Sequence, residues 1–339
     1  MKKRDFLTIM LGAAVISMAL AGCGGAGENG ASQAEQAESS QTGQSQAEDG
    51  RTESAEAPDS AGGTEESVPE GSVRTNGGEV IALSALEHQD ENAASVVYFT
   101  SDISPEAMTE IYHALGEGFS GENIAVKLST GEPPASNYLD PALIADLVHE
   151  VDGTIVENNT AYGGQRSSTA MHYQVAEDHG FTEIADFVVL DEDGSVSLPA
   201  EGGTRLSENL VGAHFPEYDG YLVLSHFKGH AMAGFGGAIK NISIGMASQE
   251  GKCLIHTAGE SHTSPWGGEQ DPFTESMAEA GKSVVDALDQ ACVDLVYASQ
   301  DDTASLIERM ESRNAVHVLE HGEEIGLGSR SYQMVSIDG

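Results

Sequence analysis

Cations are the scarcest feature of this chain. Its 339 residues carry 15 Lys and Arg against 55 Asp and Glu, a formal net charge of -40. A nucleic-acid binder needs clustered Lys and Arg to release counterions from phosphate. Docking on an anionic lipid surface by charge alone needs the same clusters. The sequence argues against both classes. Cysteine is nearly absent too: three in a chain this long cannot form a disulfide scaffold. No G-x-S-x-G elbow, no Walker loop and no HExxH motif occurs.

What is present begins with an export signal. Lys2, Lys3 and Arg4 precede an apolar run from Phe6 to Gly22, too short and too promptly ended for a comfortable membrane span. The run closes in Leu20-Ala21-Gly22-Cys23, which resembles a bacterial lipobox, with small residues ahead of a Cys whose thiol takes a diacylglycerol. The same run also fits a signal peptide with an incidental Cys, or a single anchor helix. The lipobox reading predicts a lipoprotein signal peptide over residues 1–22. It places the mature chain on the outer face of the bacterial cytoplasmic membrane, its membrane partner reached through lipid at Cys23. Each buried acyl CH₂ would contribute roughly 0.8 kcal/mol to that anchoring. Residues 23–78 then read as a disordered acidic linker. Between Gly24 and Gly77 there are 11 acids, 2 bases and no aromatic residue, too little apolar surface to offset chain entropy. Its r.m.s. reach would be roughly 40 Å.

Residues 79–339 read as one α/β domain. Apolar runs at Ser95–Thr100, Ile124–Leu128, Thr154–Val156, Phe187–Leu190, Tyr221–Ser225 and Tyr332–Ile337 predict strands. Between them, Pro105–Leu115 after a Ser104 cap and Pro141–Val151 after an Asp140 cap predict helices. Thr169–His179, ended by Gly180, Asp302–Met310 and Ala315–Glu324 complete the helical set. Strands interleaved with helices predict a mostly parallel sheet flanked by helices. Nothing linker-like marks a division at residues 181–186.

Ligands of open α/β sheets bind where strands hand over to loops at their C-terminal ends, and three such junctions stand out. The first, His226 to His256, concentrates Gly, His and Lys. Gly234, Gly236 and Gly237 let backbone approach a ligand closely. His226 and His230 are four residues apart, a spacing that on a helix would put both imidazoles on one face, as for a divalent metal; His256 would complete the set. Lys228 and Lys240, with Lys252, are three of only ten cations beyond residue 78. A small anionic molecule is therefore the expected ligand, with His226, Lys228, His230 and Lys240 as candidate catalytic residues and Gly236, Gly237 and Asn241 as binding residues. The second junction, Glu157 to Arg166, offers Asn159 and Arg166. The third ends in Lys127, a Lys closing an apolar strand, which is costly unless paired or functional. Cys253 and Cys292 fit buried thiols or one disulfide.

Together these segments resemble the family called domain of unknown function 362. The resemblance rests on Gly153 to Arg166, His226 to Ser248, Gly251-Lys252, Asp289 to Asp294 and Glu323 to Ser329, and covers essentially all of residues 79–339. It implies a shared ligand pocket at His226, Lys228, His230, Lys240 and Asn241. Members of the family often carry a ferredoxin-like C-x-x-C-x-x-C-x-x-x-C-P insert. Here the corresponding region, Gly259 to Lys282, has no Cys, and Met246 stands where another Cys is expected; an iron–sulfur cluster is therefore not expected. The resulting expectation is an exported, lipid-anchored protein with a small-molecule or metal site at residues 226–256, either a redox or metal-dependent enzyme or a non-catalytic ligand-binding or scaffold lipoprotein.

Overall fold

The computed structural model describes residues 5–11 and 67–338, except 117, 120, 135–136, 285–289 and 300–302. Cys23 and the linker up to residue 66 lie outside the described residues.

The centre of the molecule is a five-stranded, wholly parallel sheet. Its strands are β1 (Asp5–Leu11), β5 (Ile124–Lys127), β6 (Gly153–Glu157), β7 (Phe187–Val189) and β10 (Gly220–His226), in the order β1-β10-β5-β6-β7. Register runs from Gly220 opposite Ile124 to Val223 opposite Lys127, and from Ile124 opposite Gly153 to Lys127 opposite Val156. The apolar stretch read as an export leader supplies β1, which pairs with β10 from Asp5–Gly220 to Leu11–His226.

Parallel strands need crossover connections, and those connections cover both faces of the sheet. On one face α1 (Pro105–Ala114), α2 (Pro141–Glu150) and α3 (Thr169–Asp178) pack Met108, Ile144, Leu147 and Ala176 against Val126, Ile155, Leu222 and Leu224. On the other, Val211 of β9 (Glu208–Gly212), Phe215 and Ile242 of α4 (Ala238–Ile242) meet Ala125, Val156, Tyr221 and Val223. The helix starts follow from local chemistry. Ser104 Oγ accepts from the Ala107 amide at 3.1 Å and Asp140 from Ala142 at 2.9 Å, with Pro105 and Pro141 in the first turns.

A helical lobe lies beyond β10. Here α5 (Gln249–His256), α6 (Gln270–Val284), α8 (Ala304–Ser312) and α9 (His317–Glu324) share a core built on Phe227, Phe235, Leu254, Phe273 and Met310. The short antiparallel pair β11 (Lys228–His230) and β12 (Gly234–Gly236) joins this lobe to the sheet. Gly234 is required there: its φ is +77° and a Cβ would meet Ala315 Cβ at 2.4 Å.

Three expectations change. Strands β4 (Val96–Phe99) and β13 (Gln333–Ser336), expected in the main sheet, pair with each other in a separate two-stranded sheet backed by α7 (Gln290–Ala298). Second, β8 (Ser195–Pro199) and β9 form a hairpin not expected from the sequence, although Ser195-Val196-Ser197-Leu198 alternates polar and apolar residues. Third, the folded part reaches back into the expected linker, because β2 (Ser72–Arg74) pairs with β3 (Val80–Ala82) and buries Val73 to 1% exposure. Among the described residues no helix is long and apolar enough to cross a membrane.

Candidate functional site

The three junctions read from the sequence meet in one cavity. Its walls are the C-terminal ends of the adjacent strands β10, β5 and β6, together with the start of β11, the end of β12, α4 and α5. The empty space, counted out to the mouth, is about 740 Å³. Five cationic side chains line it: Lys127, Arg166, Lys228, Lys240 and Lys252. They are half of the ten Lys and Arg beyond residue 78. Among the described residues Glu157 is the only carboxylate in the lining.

Lys127 ends β5 and is 0% exposed. It shares a strand face with Ala125, which aims it at α4; Nζ donates to the Leu128 carbonyl at 2.6 Å and to Asn241 Oδ1 at 2.8 Å. Asn241 Nδ2 in turn donates to the Leu224 carbonyl and Ser225 Oγ, each at 3.1 Å, tying α4 to β10. Burial, with Lys252, Arg166 and Lys240 nearby and despite Glu157, pushes the Lys127 ammonium down to about 7. Lys240 and Lys252 fall to about 8, each chiefly through burial; Lys228, Arg166 and Lys252 add to the fall at Lys240, whereas at Lys252 Asp191 and Glu157 oppose it and Arg166 adds to it. Lys252 donates to the Ala247 carbonyl at 2.5 Å and Lys228 to the Asn137 carbonyl at 2.7 Å. Lys240 Nζ has no hydrogen-bond partner among the described residues. Carbonyls satisfy some of these ammonium donors and neutralise no charge.

The single carboxylate is already committed. Glu157 accepts from the Thr130 amide (2.9 Å), Thr130 Oγ1 (2.6 Å), His172 Nε2 (3.0 Å) and Arg166 Nη1 (2.9 Å). Burial opposes its ionisation, but Arg166, His172 and Lys127 outweigh burial and hold it well below the usual carboxylate range. Arg166 also donates from Nε to Glu132 at 3.1 Å and from Nη1 to Ser129 at 3.2 Å. The ion pairs therefore orient Arg166, whereas the four ammoniums share no carboxylate at contact distance among the described residues.

His226, at the end of β10, lines the cavity. Burial and Lys228 press its imidazole to about 4, so it is neutral at neutral pH, and its buried Nδ1 has no partner. Gly236, Gly237 and Asn241 also line the cavity.

Other expected residues stand apart from it. His230 is not on a helix with His226: it ends β11, and its Nδ1 accepts from the amides of Met232 (3.3 Å) and Ala233 (3.1 Å), closing the turn to β12. His226 and His230 thus lie on different strands, and the metal-capable group of three among the described residues includes neither. His256, the last residue of α5, donates from Nδ1 to the Lys252 carbonyl at 2.7 Å, leaving a buried Nε2 lone pair without a partner. Asn159 turns toward α3, donating to Thr169 Oγ1 at 3.0 Å and facing His172 at 3.3 Å. Cys253 and Cys292 are separate buried thiols. Among the described residues, the one group of three side chains close enough to share a metal is Glu192, Asp193 and His214, at the surface and unforeseen in the sequence. Lys252 and Glu157 also line the cavity; the sequence counts Lys252 among the clustered cations and starts the second junction at Glu157, but assigns neither a role.

A family model for a domain of unknown function, DUF362, matches residues 124–312. No curated protein and no solved structure matches the chain. The matched stretch runs from β5 to the end of α8, is more than half of the chain, and contains every residue that lines the cavity. The chain belongs to the domain of unknown function 362 family.

Proposed function

We propose that this cavity binds a small polyanion, a phosphate-type or multiply carboxylated molecule, in a protein held at the outer face of the membrane by lipid on Cys23. The observation that carries the binding reading is the gathering of five of ten cations, with one already paired carboxylate, around one cavity in a chain of net charge -40. Like charges at low dielectric repel unless an anion enters, and a lone ammonium without partners is held there at a cost that a ligand offsets. An anion would find the free Lys240 donors, the remaining donors of Lys228 and Lys252, and the glycine backbone of 236–237. A bare divalent cation is the wrong occupant, since among five cations the lining offers it one neutral imidazole and one carboxylate already held by Arg166 and His172.

The donor set also does not fit an iron–sulfur centre. Such a cluster takes four Cys thiolates, and beyond Cys23 the chain has only Cys253 and Cys292, buried separately.

An enzymatic role is favoured by one observation over simple binding: Lys127, buried beside other cations, is held at about 7 in the ligand-free cavity, so an entering anion would draw a proton onto it. The anchoring rests on the leader and lipobox sequence alone; processing at Cys23 removes the edge strand β1 and leaves β10, β5 and β6, which carry the cavity. Metabolic labelling with a tritiated fatty acid should mark the wild-type chain and not Cys23→Ala.

Calorimetric titration with inorganic triphosphate tests the binding reading. Saturable binding that Lys228→Met/Lys240→Met abolishes supports it. A wild-type protein that takes up neither triphosphate nor citrate overturns it.

A further inference from the structure

The cavity opens to solvent at its mouth, with about 740 Å³ of empty space counted out to that opening. Its charges cluster at the strand ends, and one wall changes character. Tyr162, on the loop after β6, lines the cavity. The Trp266 ring lies 6.0 Å from it, centre to centre, tilted by 39°. Trp266 is the only Trp in the chain and is 62% exposed.

That wall is rigid underneath. Tyr162 meets His256 edge-on at 6.1 Å and 84°, and His256 stacks on Phe273 at 5.0 Å and 21°, inside the core of the helical lobe. The loop carrying Trp266 is held at both ends. Thr257 Oγ1 accepts from the Ser261 amide at 2.9 Å and Ser261 Oγ from the Ser264 amide at 3.0 Å. At its far end Gly268 packs so closely on the His256 carbonyl that a Cβ would lie 2.0 Å from it. The backbone is fixed while the indole stays open to solvent. A single exposed aromatic is ordinary. One placed beside a ring that lines a cationic cavity offers a planar ligand group a stacking surface.

We propose that the anion bound here is a phosphate ester bearing a planar ring, with its phosphates among Lys228, Lys240 and Lys252 and its ring packed on Trp266 beside Tyr162. This inference rests on the polyanion reading above and adds the organic part of the ligand. It takes the class of nucleoside and flavin phosphates rather than inorganic polyphosphate or aliphatic polycarboxylates.

The test compares ring-bearing and ring-free partners of similar charge on the full-length chain by calorimetry: adenosine triphosphate against inorganic triphosphate, and flavin mononucleotide against inorganic phosphate. In at least one pair the ring-bearing partner should bind about tenfold or more tightly, the scale of a base stacked on an aromatic side chain. Trp266→Ala should erase that difference without changing affinity for the ring-free partner, and Trp266→Phe should restore most of it. If adenosine triphosphate is the preferred partner, it should quench the emission of Trp266. Equal affinity within both pairs, or a preference that Trp266→Ala leaves intact, overturns the ring inference and leaves the polyanion reading standing. Failure of all four to bind removes the ring inference, and failure of citrate as well removes the polyanion reading.

Discussion

Two histidine neighbourhoods show opposite electrostatics. His214 lies near the surface among carboxylates, with Nδ1 2.8 Å from Glu217 and Nε2 3.0 Å from Asp193, and Glu217 above all raises its pKa. His226 lies at the cavity, where burial and Lys228 press it to about 4 and its Nδ1 has no partner. The first cluster sets three carboxylates, Glu192, Asp193 and Glu217, around one imidazole, and water screens its excess negative charge. The cavity keeps four ammoniums in each other's company with their only carboxylate engaged elsewhere. A fold can hold such an imbalance when a ligand completes it, and perturbed groups in a cleft mark sites for that reason.

The most damaging way to disturb the cavity is to remove its one counter-charge. Glu157→Gln leaves Arg166 and His172 without their shared carboxylate, and urea unfolding should show a loss of about 3 kcal/mol or more. A change below about 1 kcal/mol would mean that Glu157 balances nothing. Lys240→Met should act in the opposite sense. Triphosphate affinity should fall about 10- to 100-fold, as for loss of a charge-assisted hydrogen bond of about 1.5–3 kcal/mol, while the ligand-free protein becomes no less stable. Destabilisation by this substitution would show that Lys240 is part of the fold's own balance.

The resemblance in the sequence reached the right loops but not their geometry. Lys127, Arg166, Lys228, Lys240, Asn241 and His226 could be read because each follows an apolar run, and strand ends converge in parallel sheets. The separate β4–β13 sheet could not, because β4 reads like any buried strand and its partner lies more than 230 residues away. The H-x-x-x-H spacing misled for a local reason. Lys-Gly-His and Gly-Phe-Gly are too short to show any period, so nothing distinguished a tight strand pair from a helix turn. Lys252 and Glu157 were visible as residue types, but their common cavity depends on α5 packing beside β9, which periodicity does not disclose.

Smaller effects sharpen the contrast through pH. The folded protein holds Lys127 at about 7 and Lys240 and Lys252 at about 8, below the ordinary lysine value of 10.5. Between pH 7 and 10 the unfolded chain therefore binds more protons, and stability of the ligand-free protein should rise with pH. Triphosphate affinity should fall over the same interval as the ammoniums lose charge. Lys127→Met should reduce the stability slope. A flat profile in the wild type would show these amines to be unperturbed.

The smallest effect belongs to the surface cluster around His214. His214 has a raised pKa, so its contribution is present at acid pH and lost as pH rises through that value. His214→Ala should cost less than about 1 kcal/mol near pH 6, given its solvent screening, and leave triphosphate affinity unchanged. A loss of affinity would join the two regions functionally.

The most direct measurement is a crystal structure of the protein soaked in triphosphate near pH 6.5, where the cavity amines are charged. The account predicts tetrahedral density within hydrogen-bond distance of Lys240 and Lys228, between the ends of β10 and β6. Density at the protein surface alone, with the cavity holding only water and the Lys240 ammonium turned to a protein carboxylate, would contradict it.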